Sequence, residues 1–167
     1  MTPDGATGER RGTQEPMEHL WFEDFTVGRS FRTGGATLTE AQILDFAWRY
    51  DPQPFHIDKE AARDWGYGGI IASGFQSMVV AFRLFYAERI INACSLGSPG
   101  FDELRWLKPV FPEDTIHVVA TVRDSRPSQS KPDRGFIKME FEVFNQRGEA
   151  VMRFLATQIL RRRPAEG

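Results

Sequence analysis

A carboxylate and an imidazole stand close together in Asp51-Pro52-Gln53-Pro54-Phe55-His56-Ile57-Asp58, and Ile71-Ala72-Ser73-Gly74 follows at the head of an apolar segment. Such side chains commonly give and take protons during catalysis. A helix opening at Ser73-Gly74 would present backbone N–H groups that no intrahelical carbonyl accepts. Groups of that kind bind anions and developing negative charge. Proton transfer beside a polarised carbonyl is the chemistry these residue types share. Spacing alone leaves a plainer alternative open, in which Asp51 stiffens an Asp-Pro turn and His56 packs beside Phe55. Five positions apart in the chain, the two side chains need not converge.

Other motifs carry less. Ser73-Gly74 is not a nucleophile elbow, because Gly-x-Ser-x-Gly would need glycine where Ile71 and Phe75 stand; Ser73 is expected as a helix cap. Gly66 to Gly69 does not form a Gly-x-Gly-x-x-Gly dinucleotide fingerprint. His19, His56, His117 and Cys94 lack metal-ligand spacing, so no metal is expected. His117, mid-strand, is expected to be structural. Arg161-Arg162-Arg163 offers charge for a phosphate, but a solvated basic end is the reading adopted.

Composition sets the frame. At 167 residues the chain fits one domain, and 41% apolar with 26% charged residues is ordinary for a globular protein. A formal net charge of -2 argues against a dedicated nucleic-acid binder. Cys94 is the single cysteine, which precludes an internal disulfide and suits a reducing compartment. The longest unbroken apolar run, Met78 to Phe82, is far short of the roughly 20 residues that span a bilayer. With no apolar leader segment either, a cytoplasmic protein without membrane contact is expected. Fourteen phenylalanines and four tryptophans suit an aromatic core together with an aromatic dimer seam.

The elements that must position the motif follow from local pattern. Residues 1–19 lack the apolar content to order themselves and read as a flexible tail. Trp21 to Gly28 reads as a turn seating aromatics on the domain. Ser30 to Leu38 reads as a strand weakened or bulged at Gly34-Gly35. Thr39 caps a helix from Glu40 with Gln42 completing a capping box, and the prolines at 52 and 54 end that helix near Tyr50. Asp51 therefore falls just past a helix end. Asp58 caps a short helix through Glu60 to Arg63, and a glycine-rich loop leads to a helix from Gly74 to about Ala93. That helix is apolar on most faces, which predicts burial under a sheet. Strands follow at Phe101–Lys108, Thr115–Arg123, Phe136–Phe144 and Val151–Leu160, with Ser125–Arg134 a polar loop and Gly148 a hairpin turn. One early strand, a buried helix and a run of four strands make an α+β pattern.

The stretch from Asp51 to Asp58, with Ile71-Ala72-Ser73-Gly74 downstream, resembles the hydratase motif of the MaoC-like dehydratases, relatives of the (R)-specific enoyl-CoA hydratases. Their pattern reads Gly-Asp-x-Asn-Pro-(Leu/Ile)-His-x-Asp, followed by a small residue and Gly opening a central helix. Leu107 to Thr115 and Asn145 to Glu149 are similar to the family's strand connections, so the resemblance covers residues 20–162. It implies a hotdog fold, a curved antiparallel β-sheet wrapped around a long central α-helix, as one domain over 20–162 with a tail at 163–167. It also implies that Asp51 and His56 are the catalytic pair and that the Gly74 N–H binds a thioester carbonyl. Gln53, Ser73 and Phe55 are then substrate contacts. Tyr50 and Gln53 stand where many members have Gly and Asn, which bears on the pocket's shape.

The implied activity is that of a lyase of fatty acid metabolism: reversible addition of water to a 2-enoyl thioester. No cofactor is implied beyond the coenzyme A or phosphopantetheine that the substrate carries. The implied partners are an acyl-CoA and a second copy of the chain, as a homodimer or a dimer of dimers, with no nucleic acid. A thioesterase on the same fold and a non-catalytic acyl-CoA binder are the alternatives.

Overall fold

Thr39 opens α1 (Glu40–Tyr50) as the sequence predicts: its side chain accepts from the Gln42 amide while the Gln42 side chain accepts from the Thr39 amide. The computed structural model describes residues 19–165; the expected N-terminal tail, apart from His19, lies outside the described residues. The Asp51 amide still bonds the Ala47 carbonyl, yet at φ −152° the chain has left the helix, as the proline after it requires. Pro54 then starts a single helical turn, α2 (Pro54–Ile57), where its missing N–H costs nothing. Asp58 ends that turn and caps α3 (Lys59–Asp64) by accepting from the Glu60 and Ala61 amides. So Asp51 sits at one helix end, and His56 lies within the next short helix.

Among the described residues six antiparallel strands complete the fold: β1 (Ser30–Arg32), β2 (Ala36–Thr37), β3 (Gly100–Trp106), β4 (Thr115–Pro127), β5 (Arg134–Phe144) and β6 (Ala150–Arg161). Their order is β1-β4-β5-β6-β3, with β2 also on β4. Register shifts in the β3/β6, β4/β5 and β5/β6 ladders bend the sheet as bulges do. Ile116, Val118, Ala120 and Val122 on β4 and Ile137, Met139, Phe141 and Val143 on β5 point inward and are buried, the alternation expected of strands with one covered face. Over them lies α4 (Gly74–Ala87), which buries Ala81 and Phe85; the Phe85 ring meets Phe141 edge to face at 4.9 Å. Phe22 and Phe25 close one side, buried from the Trp21–Gly28 turn. The arrangement is a hotdog fold of the α+β class.

Four details depart from the sequence reading. The first strand is two, β1 and β2, because Thr33-Gly34-Gly35 spans only two residues of β4, the bulge expected at the glycines; Thr33 keeps its amide on the Val118 carbonyl and receives the Val118 amide on its side chain. β4 runs on through Ser125–Pro127, expected as loop, because Arg126 and Pro127 face Phe136 and Gly135 across the hairpin. α4 stops at Ala87 rather than near Ala93. Arg89 turns to φ +59°, and Ile90, Ile91 and Cys94 are buried from a non-helical turn, so their apolar character prolonged the helical pattern only in sequence. Finally, the sheet covers one face of α4 and not most of them. Phe75, Val79, Phe82 and Tyr86 form a stripe on the other side, 47–57% exposed.

Candidate active site

Asp51 and His56 converge. Nε2 of His56 lies 3.3 Å from Oδ2 of Asp51. The same carboxylate oxygen accepts the Ser73 hydroxyl at 2.6 Å, and Oδ1 accepts the Gln53 side-chain amide at 2.8 Å. Burial pushes the Asp51 carboxyl up, but the hydrogen bonds from Ser73 and Gln53 and the nearby His56 imidazole outweigh it and hold the group below its usual range. Asp51 is therefore an ionised carboxylate at neutral pH.

The imidazole is oriented by backbone. Nδ1 of His56 lies 2.7 Å from the Ile71 carbonyl. A carbonyl only accepts, so Nδ1 carries the proton and donates. This leaves Nε2 as the atom facing Asp51. In the neutral ring Nε2 and the carboxylate are both acceptors, so a proton or a water that donates to both must stand between them. His56 is 4% exposed, with the Phe55 ring edge-on at 4.6 Å. The Ile71 carbonyl is itself held: Ile71 donates to the Phe55 carbonyl, and Ala72 donates to that of Val110. The segment leading into α4 thus runs alongside α2 and fixes the ring's tautomer.

Ser73 joins the pair to the helix. It is the N-cap of α4, accepting from the Phe75 amide at 3.2 Å, while its own hydrogen goes to Asp51. The Gly74 amide has no hydrogen-bond partner among the described residues, as expected at the first position of a helix. Asp51, Gln53, His56 and Gly74 line one cavity of about 360 Å³, whose remaining wall is largely apolar, from Ile71 and Phe75 to Trp106, Leu107 and Val110. An acid–base pair and an open amide at a helix N-terminus on one apolar cavity can move protons beside a carbonyl oxygen that the amide holds.

Of the residues read as substrate contacts, Gln53 lines the cavity, whereas Ser73 and Phe55 do not. Ser73 binds Asp51, and Phe55 packs on His56, Trp65 and Tyr67. Sequence reasoning missed Trp106 and the Ile71 carbonyl. A backbone acceptor leaves no mark in residue type, and Trp106 carries no sign in sequence beyond that of an aromatic on a strand. Arg162 and Arg163 are away from the cavity, paired with Glu23 and Asp24. His117 stacks on Phe144. Among the described residues no three His, Cys, Asp or Glu side chains gather as metal ligands do, and no helix is long and apolar enough to cross a membrane.

Comparison with known proteins bears on this geometry. Residues 24–139 match the family described as the MaoC like domain. A crystal structure of a MaoC-like dehydratase from Rhodospirillum rubrum superimposes with a TM-score of 0.81 at 38% identity, covering 87% of this chain and 99% of that one. The uncharacterized protein YdeM of Bacillus subtilis is 29% identical over 126 residues, 75% of this chain and 88% of that protein. A mesaconyl-CoA hydratase of Cereibacter sphaeroides is 32% identical over 87 residues, which take in 51% of this chain and 25% of that enzyme. The family match runs from the turn before β1 into β5, through both sides of the acid–base pair and the whole of α4. The chain belongs to the MaoC-like dehydratase family.

Proposed function

We propose that the protein is an acyl-thioester hydratase/dehydratase, adding water reversibly to a 2-enoyl-CoA or to the equivalent carrier-bound thioester. The observation that carries this reading is the convergence of Asp51, His56 and the open Gly74 amide on one apolar cavity. Conjugation makes C3 of the enoyl group electrophilic, and attack there drives charge onto the thioester oxygen. The Gly74 N–H, reinforced by the α4 dipole, stabilises that oxygen. One water sits between the pair; Asp51, held ionised, takes its proton as the oxygen bonds C3, and His56, entering the step as the imidazolium with a second proton on Nε2, protonates C2, after which the proton on Asp51 returns to Nε2. The reverse path eliminates water from a 3-hydroxyacyl thioester. Acid, base and oxyanion donor all come from the chain, so the reaction needs no resident cofactor.

The working unit in this reading is a homodimer, in the cytoplasm. β3 is a sheet edge, and Phe101, Trp106 and Leu107 on and beside it are exposed, as is the α4 stripe. A second copy paired edge to edge satisfies the open strand and covers apolar surface.

The test is product analysis with enoyl-CoA substrates of different length and branching. Formation of 3-hydroxyacyl-CoA is the expected result. Release of free thiol would make the protein a thioesterase, and binding without either product a non-catalytic acyl-CoA binder.

A further inference from the structure

Trp106 lies against the helix N-terminus in a particular orientation. A Cβ built on Gly74 would come within 2.3 Å of both Nε1 and Cε2 of the indole and 2.9 Å of Cδ1. The atoms nearest Gly74 are therefore those of the pyrrole edge, the edge that carries the ring N–H. The indole meets Phe75, the next residue of α4, at 5.7 Å and 76°, so it is seated on the first helical turn. It reaches there from β3, a different element. Its N–H is a donor only, and among the described residues it makes no hydrogen bond, although Trp106 lines the cavity. Two donors without partners, a backbone amide and an indole, thus stand side by side on the cavity that holds the acid–base pair.

We propose that the Trp106 indole N–H is the second donor of the oxyanion site, acting with the Gly74 amide. The proposal rests on the hydratase reading. As the water oxygen bonds C3, the C=C electron pair shifts toward C2 and the thioester oxygen gains charge; both N–H groups donate to that oxygen. The water's proton passes to Asp51, the enolate then takes a proton from His56 at C2, and the C–O double bond re-forms. One H and one OH are added in total. A single amide leaves the carbonyl free to pivot about one hydrogen bond. A second donor from β3 fixes its plane, and so fixes which face of the double bond meets the water. The same contact accounts for glycine at position 74, since any side chain there displaces the indole.

Trp106→Phe tests this, because it keeps an aromatic ring on Gly74 and Phe75 and deletes the N–H. With melting temperature and oligomeric state unchanged, kcat for enoyl-CoA hydration should fall roughly 10²-fold while KM changes little. A second measurement does not depend on turnover. In protein carrying ¹⁵N-indole tryptophan, the resonance absent from Trp106→Phe should move downfield when saturated butanoyl-CoA, which cannot be hydrated, is added. A parent protein that hydrates enoyl-CoA beside a folded Trp106→Phe variant of equal kcat overturns the second donor and leaves the hydratase reading standing. An unmoved indole resonance with butanoyl-CoA bound overturns it too, even where the variant fails to fold. A parent protein that hydrates no enoyl thioester overturns the functional reading and this proposal with it.

Discussion

Asp51 and Asp114 are both withdrawn from solvent, with side chains 13% and 5% exposed, and each receives three polar contacts, but the partners differ in kind. Asp114 takes the Phe111 amide, the Gln146 side chain and the guanidinium of Arg147. The same Arg147 also holds Glu149, which Lys108 and Asn145 bind as well. That network ties the β5–β6 hairpin to the start of β4 and is closed by permanent cations. Asp51 instead takes two neutral donors and faces an imidazole, with a cavity on its open side. A carboxylate neutralised by Arg has nowhere to send a proton. One held ionised by neutral donors, opposite a group that can gain or lose a proton, is poised to exchange it. Partner chemistry separates the structural aspartate from the one proposed to react where burial and contact number do not.

Substitution should split the two aspartates most sharply. Asp51→Asn and His56→Ala should each cost roughly 10²–10⁴-fold in hydration rate with little change in melting temperature. The double variant should lose far less than the product of the two, because both act on one water. Asp114→Ala should do the opposite, keeping kcat while losing on the order of 1–3 kcal/mol of stability in denaturant titrations, since Arg147 and Gln146 lose their acceptor. Normal turnover in either Asp51→Asn or His56→Ala would end the comparison.

The helix mouth comes next in size. Gly74→Ala keeps the backbone donor but drives a methyl into the indole at 2.3 Å. It should cost about 10²-fold in kcat, and little further in a Trp106→Ala background, where the collision is gone. An equal cost in both backgrounds would show that the methyl acts on substrate directly.

A smaller effect concerns acid. Because the folded Asp51 carboxyl is lowered, it stays ionised as pH falls past the ordinary carboxylate range, and its contribution to stability is lost only as pH drops through that lowered value. The acid limb of kcat/KM should therefore lie below the usual carboxylate range. Ser73→Ala removes one lowering hydrogen bond, so the limb should move to higher pH. A limb that stays in place would deny Ser73 its hold on the base.

Smallest of all should be the basic end. Arg162 and Arg163 pair with Glu23 and Asp24 at the surface, interactions worth about 0–1 kcal/mol each. Replacing both by alanine should leave KM for acyl-CoA unchanged; a clear rise in KM would mean that they meet substrate phosphates after all.

Local grammar made much of this legible. Thr39 with Gln42, and Pro52 and Pro54 after Tyr50, define a helix and its end by rules that hold without tertiary context. Asp51 consequently stands where those rules put it. The alternation of Ile116 to Val122 and of Ile137 to Val143 likewise survives folding, because one sheet face must be covered. What failed was whatever distant partners decide. Ser125–Pro127 becomes strand only because Phe136 and Gly135 lie opposite, and Ile90 and Ile91 prolong a helical pattern that the chain abandons at Ala87. In the site, Asp51, His56 and Gly74 were readable as residue types. The Ile71 carbonyl that sets the tautomer has no side-chain signature, and Trp106 looks in sequence like any aromatic of an edge strand.

The Ser73 hydroxyl accepts from the first turn of α4 and donates to the base, so one oxygen atom couples the two halves of the proposed machinery mechanically. Through that oxygen a shift of the helix would pull on the carboxylate as well, which favours a constant relation between base and amide. Shape adaptation to different acyl groups then falls to Leu107 and Val110 on the facing wall, residues that carry neither the acid–base pair nor the proposed oxyanion donors. A molecule divided in this way can change what it accepts by sequence drift on one wall while its proton-transfer geometry is inherited intact on the other.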